Sequence, residues 1–278
     1  MRTLLALSLA ISVPLVAAEH AHDAHGHEAH AHAPAPATLA PKPAAPKPVA
    51  ANPAPAADAH GAPAAHAPPK GLSPLEGIAR LSSGNGRFAV GKRTRSADSS
   101  DDADERETTA KGQHPFAAIL TCADSRLSPD LIFDQSIGDV FVIRNAGNVA
   151  EPVGEGSLEY AIEHLGVRLI VVLGHAQCGA VKAVTGSDAK LPGRLVAIQD
   201  RMPGLRAYFQ EVSGQGKTPE QAVAAAVARN AEEQALALLT DSAVLREAAA
   251  RGDIAVVPAV YDLAGGLVEF RSPISVKR

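Results

Sequence analysis

Cys122 and Cys178 are the only cysteines in the 278-residue chain, and each lies just beyond an apolar run. The first belongs to Cys122-Ala123-Asp124-Ser125-Arg126, the second to Gly174-His175-Ala176-Gln177-Cys178-Gly179. His175 and Cys178 are three residues apart in a turn leading into a helical pattern, so both side chains can face one point. If the chain stays extended past Thr121, then Cys122, Asp124 and Arg126 project to one side. Two thiolates and one imidazole are a zinc set with three protein ligands. The fourth tetrahedral position is left for water, the mark of a catalytic rather than a closed structural site. The rival reading is a disulfide, since exported chains favour them and two is an even count. A disulfide alone leaves unexplained a His three residues before one Cys and an Asp two residues after the other. Asp124 and Arg126 also have a bland reading, as a surface ion pair.

The elements that must position these residues are legible as apolar runs alternating with helical patterns. Strands are predicted at Phe116–Thr121, Val140–Arg144, Arg168–Leu173, Asp253–Tyr261 and Leu267–Phe270. Helices are predicted at Ser128–Asp134, Ser157–Leu165, Ala180–Val184, Leu191–Arg201, Thr218–Leu239 and Asp241–Ala250. This alternation predicts one α/β domain: a mostly parallel β-sheet with an antiparallel edge strand, flanked by helices. The edge comes from the last two strands, which read as a hairpin around Gly265-Gly266. Ligands of open α/β sheets bind where loops leave the carboxyl ends of strands, which is where both cysteines fall. Ahead of the sheet, Ser73-Pro74-Leu75-Glu76 has a capping-box pattern with Pro at the first helical position, and Leu75, Ile78 and Leu81 follow at helical spacing. Residues 94–111 are polar and read as a surface helix or loop.

Composition is that of a globular protein, 46% hydrophobic and 20% charged, with 3% aromatics and no Trp. A formal net charge of -4 gives no electrostatic reason to expect a nucleic-acid or anionic-membrane partner. Residues 1–18 read as a signal peptide: Arg2, an apolar run from Leu4 to Val16, and small residues at Val16-Ala17-Ala18. No stretch of about 20 apolar residues follows, so stable membrane insertion is not expected and the chain is placed in the periplasm. Residues 19–70 are rich in Ala, Pro and His with few branched aliphatics, and read as a disordered tether. Its run His20, His22, His25, His27, His30 and His32 reads equally as a solvated linker or as a loose metal-binding tract. Residues 71–278 form the catalytic domain on this reading.

Several blocks together carry a family resemblance. Cys122-Ala-Asp-Ser-Arg126, Arg144-Asn-Ala-Gly-Asn148, Gly156-Ser-Leu-Glu-Tyr160 and Gly174-His-x-x-Cys-Gly-Ala180 resemble a β-class carbonic anhydrase, and Leu81-x-x-Gly-Asn-x-Arg-Phe88 is similar to that family's N-terminal helix. The resemblance covers roughly residues 72–271. It implies reversible hydration of carbon dioxide to bicarbonate and a proton by zinc-bound hydroxide, with one Zn2+ per domain on Cys122, His175 and Cys178. Asp124 and Arg126 match the paired catalytic groups beside the metal. Gly179 matches a residue whose backbone amide faces substrate. Gln113, Phe141 and Tyr160 fall where plant-like members line the carbon dioxide pocket, partly from a neighbouring subunit. A homodimer or multiple of dimers is implied, with Leu75 to Phe88 an arm packed on a partner. Taken without the resemblance, Phe141 and Tyr160 read as core aromatics.

Some β-class members carry a second bicarbonate pocket of Trp, Arg and Tyr that stabilises a closed state. Arg144 and Tyr261 stand at two of these positions, but Ile119 stands where the Trp would be. One donor to the anion is then missing, so the expectation is an open site with Asp124 on Arg126. Two other functions fit part of the sequence: carbonyl sulfide or carbon disulfide hydrolysis on the same fold and metal, and zinc buffering by the His tract. Deleting residues 19–70 removes no matched site residue. Turnover of that variant should stay within about threefold of the parent while extra metal uptake falls; a large loss of turnover at saturating zinc would tie the tail to the active site.

Overall fold

The computed structural model describes residues 71–94 and 105–275; the signal peptide and tether expected before residue 71 lie outside them. Five strands form one sheet: β1 (Ala117–Cys122), β2 (Val140–Asn145), β3 (Leu169–His175), β4 (Ala255–Tyr261) and β5 (Val268–Phe270), in the order β2-β1-β3-β4-β5. The first four are parallel and β5 runs antiparallel to β4. Central strands β1 and β3 are buried at every residue, as strands covered on both faces must be. Along β3 the residues alternate between two apolar clusters. Leu169, Val171 and Leu173 join Leu81, Ile119 and Val227 in one; Ile170 and Val172 join Leu120, Leu158 and Leu238 in the other. That period of two marks the two faces of the sheet.

Among the described residues, eight helices pack around the sheet: α1 (Pro74–Ala89), α2 (Pro129–Ile132), α3 (Pro152–His164), α4 (Gly179–Thr185), α5 (Leu195–Asp200), α6 (Leu205–Gly214), α7 (Pro219–Asp241) and α8 (Ala243–Arg251); residues 105–109, within the polar stretch ahead of β1, are helical as well. None of these is long and apolar enough to cross a membrane. Capping boxes start α1 and α7: Ser73 with Glu76, and Thr218 with Gln221, each satisfying backbone N–H groups that a helix start leaves unpaired.

Two departures from the sequence reading have local causes. Helix α3 begins at Pro152 rather than Ser157, because the Glu151 carboxylate accepts from the Val153 and Gly154 N–H groups; Gly154 and Gly156 hide this start from a propensity reading. Helix α6 was not expected at all. Pro203-Gly204 before it, and Gly214 and Gly216 at its end, read as loop, yet Leu205 and Val212 are buried, with Phe209 packed on the same cluster.

The register of β1 with β3 positions the site. Thr121 lies opposite Leu173, so Cys122 and His175 leave the sheet side by side at its carboxyl edge. Further back, α1 is tied down by Asn85, only 3% exposed. Its Nδ2 donates to Ile132 O at 3.2 Å and Gly266 O at 2.8 Å, and its Oδ1 accepts from Val268 N at 2.8 Å. Beside it, Gly84 approaches α2 so closely that a Cβ would fall on the carbonyl oxygen of Phe133, whereas a Cβ on Gly86 would meet nothing within 4 Å. Gly84→Ala should therefore destabilise by roughly 1–3 kcal/mol through overpacking, while Gly86→Ala should be neutral or gain up to about 1 kcal/mol in helix propensity. Denaturant melts of the two variants check this; equal effects would disprove the close approach.

Candidate metal centre

Cys122 ends β1, His175 ends β3, and Cys178 precedes α4. Their donor atoms lie within 4.8 Å of one another, and the residues are 5%, 0% and 1% exposed. Both thiols are free, and their sulfurs are 4.0 Å apart, about twice a disulfide bond. Two sulfurs held tetrahedrally at about 2.3 Å from one zinc would be separated by ~3.8 Å, so the spacing suits shared ligation. His175 Nδ1 is 2.9 Å from Ala176 O. A carbonyl oxygen only accepts, so Nδ1 carries the proton and Nε2 presents its lone pair. That Nε2 is buried with no hydrogen-bond partner. An orphaned imidazole nitrogen beside two buried sulfurs fits a metal ion as the missing partner.

Cys122 Sγ also accepts from the Gly147 backbone N–H at 3.3 Å. The two thiols form a hydrogen-bonded pair. The Cys178 hydrogen bond pulls the Cys122 thiol down, helped by Gly147, and the same bond together with burial pushes the Cys178 thiol up. A metal ion held there would take both sulfurs as thiolates, so its binding would release protons.

Beyond Cys122 the chain does not stay extended, contrary to the expectation for Asp124 and Arg126. A turn forms, closed by Leu127 N–H to Asp124 O at 3.0 Å, and Arg126 N–H donates to Asp124 Oδ1 at 3.0 Å. The two side chains pair because the turn folds one back on the other: Arg126 Nε donates to Oδ1 at 2.9 Å and Nη2 to Oδ2 at 2.7 Å. This bidentate clamp holds the Asp124 carboxyl well below the usual carboxylate range. Asp124 Oδ2 lies 3.8 Å from His175 Nε2, which puts a fixed carboxylate next to the ligand cluster. Arg144 braces the turn from β2, donating from Nε to Cys122 O at 3.2 Å and from Nη2 to Asp124 O at 2.7 Å.

The remaining expected positions divide. Gly179 opens α4 next to Cys178, is exposed, and has no atom within 4 Å of where a Cβ would be. Gln113 is exposed and lies before β1, at the opposite end of that strand from Cys122; the five strand steps alone span ~17 Å. Phe141 pairs with Ala118, four steps or ~13 Å back from Cys122. Its ring centroid is 6.4 Å from that of Tyr160, which is 46% exposed. Within one chain these three do not join the ligand cluster. Ile119 is fully buried in β1, and Tyr261 packs against Phe88 with ring centroids 6.4 Å apart.

Sequence reasoning missed the sulfur's backbone donor and what lies behind it. Asn230 and Gln234 of α7 are 0% and 1% exposed. The signal was present: an amide pair spaced i, i+4 among Val227, Ala231, Ala235 and Leu238, on the buried face of an Ala-rich helix.

Comparison with known proteins agrees with this geometry. A sequence profile described as carbonic anhydrase matches residues 117–268. Carbonic anhydrase 2 of Mycobacterium tuberculosis is 36% identical over 206 residues, covering 73% of this chain and 95% of the relative; the carbonic anhydrase of Mycolicibacterium smegmatis is 34% identical over 72% and 94%. Among solved structures, the Coccomyxa β-carbonic anhydrase in complex with acetazolamide is 30% identical with a TM-score of 0.56, over 74% of this chain and 88% of that one. One of two tetrameric β-carbonic anhydrases from Sordaria macrospora is 25% identical with a TM-score of 0.57, over 72% and 100%. The matched region takes in the strands that deliver Cys122 and His175 and the helix start at Cys178, and the chain belongs to the β-class carbonic anhydrases, enzymes that hydrate carbon dioxide.

Proposed function

We propose that the chain hydrates carbon dioxide reversibly to bicarbonate and a proton, with zinc held by Cys122, His175 and Cys178. The observation that carries this reading is the partnerless, fully buried Nε2 of His175 facing two buried free sulfurs. Bound there, zinc supplies the Lewis acidity that makes hydroxide available from water near neutral pH. Asp124 then orients the nucleophile. Clamped by Arg126 and ionised, it can only accept a hydrogen bond, so it fixes where an O–H beside it points. Gly179 is exposed and opens α4, where a backbone N–H has no acceptor within the helix, so its N–H is available to a substrate oxygen. The half-exposed guanidinium of Arg126 marks the solvent side, by which the product proton leaves.

Gln113, Phe141 and Tyr160 reach a metal centre only if they serve that of another copy, so we assign the working unit as a homodimer or multiple of dimers. Leu75 and Val90 at the two ends of α1, 76% and 67% exposed, suit an arm that packs on that partner. Residues 1–18 export the chain to the periplasm and residues 19–70 tether it, on this proposal.

Cys178→Ser should lose both zinc and turnover, since a hydroxyl is a far poorer zinc ligand than a thiolate. Full zinc by elemental analysis together with native turnover in that variant would reject the ligand assignment. The oxidising compartment adds a second test. Stripped of zinc and given oxidised glutathione, the two thiols should pass two electrons and two protons to it and close on each other from 4.0 Å. Activity should then return only with reductant and zinc together; full recovery on zinc alone would show that the pair does not oxidise.

A further inference from the structure

Behind the ligand sulfur lies a chain of buried amides that begins on another element. Gln234 Nε2 donates to Asn230 Oδ1 at 3.1 Å, one turn back along α7. Asn230 Nδ2 donates to Gly147 O at 2.9 Å. Gly147 N–H in turn donates to Cys122 Sγ at 3.3 Å. Gln234 grips the surroundings twice more, accepting from Ala150 N at 2.8 Å and donating to Arg201 O at 2.7 Å. Asn145 ties the far side of the loop, its Nδ2 donating to Val149 O and its Oδ1 accepting from Val149 N, both at 2.8 Å, whereas the Gly147 carbonyl is gripped from α7. Gly147 and Asn148 are successive residues at positive φ, 83° and 47°, in a region that residues other than Gly seldom visit. The space is also fixed: a Cβ on Gly147 would run into the Met202 methyl and lie 3.2 Å from Ala180 Cβ. Arg201, held by Gln234, is the neighbour of Met202. Helix α7 thus holds the Gly147 loop and the chain next to Met202 at once.

We propose that Asn230 and Gln234 are positioning residues for the metal's thiolate ligand, holding Gly147 so that its N–H stays on Cys122 Sγ. Their role is geometric, because the carbonyl that Asn230 grips and the N–H that reaches sulfur belong to successive peptide groups. A hydrogen bond to a ligand sulfur withdraws charge from it and fixes its direction, and such outer contacts set metal affinity. The inference rests on the zinc reading above and adds a readout other than turnover.

Full-length protein loaded with Co2+ in place of zinc reports the sulfur directly, through its thiolate-to-cobalt charge-transfer band. In Asn230→Leu, which removes the donor at similar volume, the band should move to longer wavelength and affinity for zinc, measured by chelator competition, should fall roughly tenfold. Hydrogen exchange should quicken at residues 146–149 and stay slow in β3. Should Asn230→Leu fail to accumulate, Gln234→Leu, one link further from the sulfur, should shift the band the same way by less. A folded variant with lowered melting temperature but an unchanged band and unchanged zinc affinity would reduce both amides to packing and overturn the proposal. Parent protein that takes up cobalt without any thiolate band would overturn the metal assignment itself.

Discussion

Three donor atoms taken out of water without enough protein partners are the constraint on which this fold turns. Burying a polar atom unpaired costs on the order of 1–3 kcal/mol, and native structures avoid it. Here His175 Nε2 is left so, while two sulfurs are held 4.0 Å apart as a hydrogen-bonded pair. The surrounding protein supplies what keeps such a cluster from collapsing or rotating away. Ala176 O fixes the imidazole tautomer, Gly147 N–H fixes one sulfur, and the parallel register of β1 with β3 fixes the separation of the two strand ends.

Around that cluster the charges are arranged so that each group has one job. Arg126 saturates one edge of the Asp124 carboxylate and keeps it ionised, which leaves an acceptor and no donor beside the candidate metal site. Arg144 does not touch the carboxylate; it grips the carbonyls of Cys122 and Asp124 and so holds the turn that makes the Asp124–Arg126 pairing possible. Of the two positions that resemble a second bicarbonate pocket, Arg144 is engaged there and Tyr261 packs on Phe88, while Ile119, at the third, is sealed in the sheet.

The fold also separates what is rigid from what faces outward. The ligands sit where fully buried strands end, and β2, which carries Phe141, is an edge strand with most residues only partly buried. Rigid central strands suit a metal site, whose donor distances tolerate little play. An edge with half-buried aromatics suits a contact with another chain.

By itself, the sequence determined the family, the candidate ligand set and the frame. Cys122, His175 and Cys178 were legible as a candidate ligand set because metal-ligand chemistry restricts residue types, and their placement after apolar runs marks strand ends; the structure brings their donor atoms within 4.8 Å of one another. The parallel sheet followed from continuous apolar segments, and the starts of α1 and α7 from capping boxes, since periodicity and caps act within a few residues. Tertiary structure alone decided the rest. The Asp124–Arg126 pairing arises from a turn, not from strand alternation, because Arg144 from β2 pins that turn's carbonyls. Helix α6 forms between glycines because Leu205 and Val212 find a core to enter. The grip of Asn230 on Gly147 joins residues 83 positions apart. Such a contact depends on how two packed elements come to rest against each other, which no local spacing encodes.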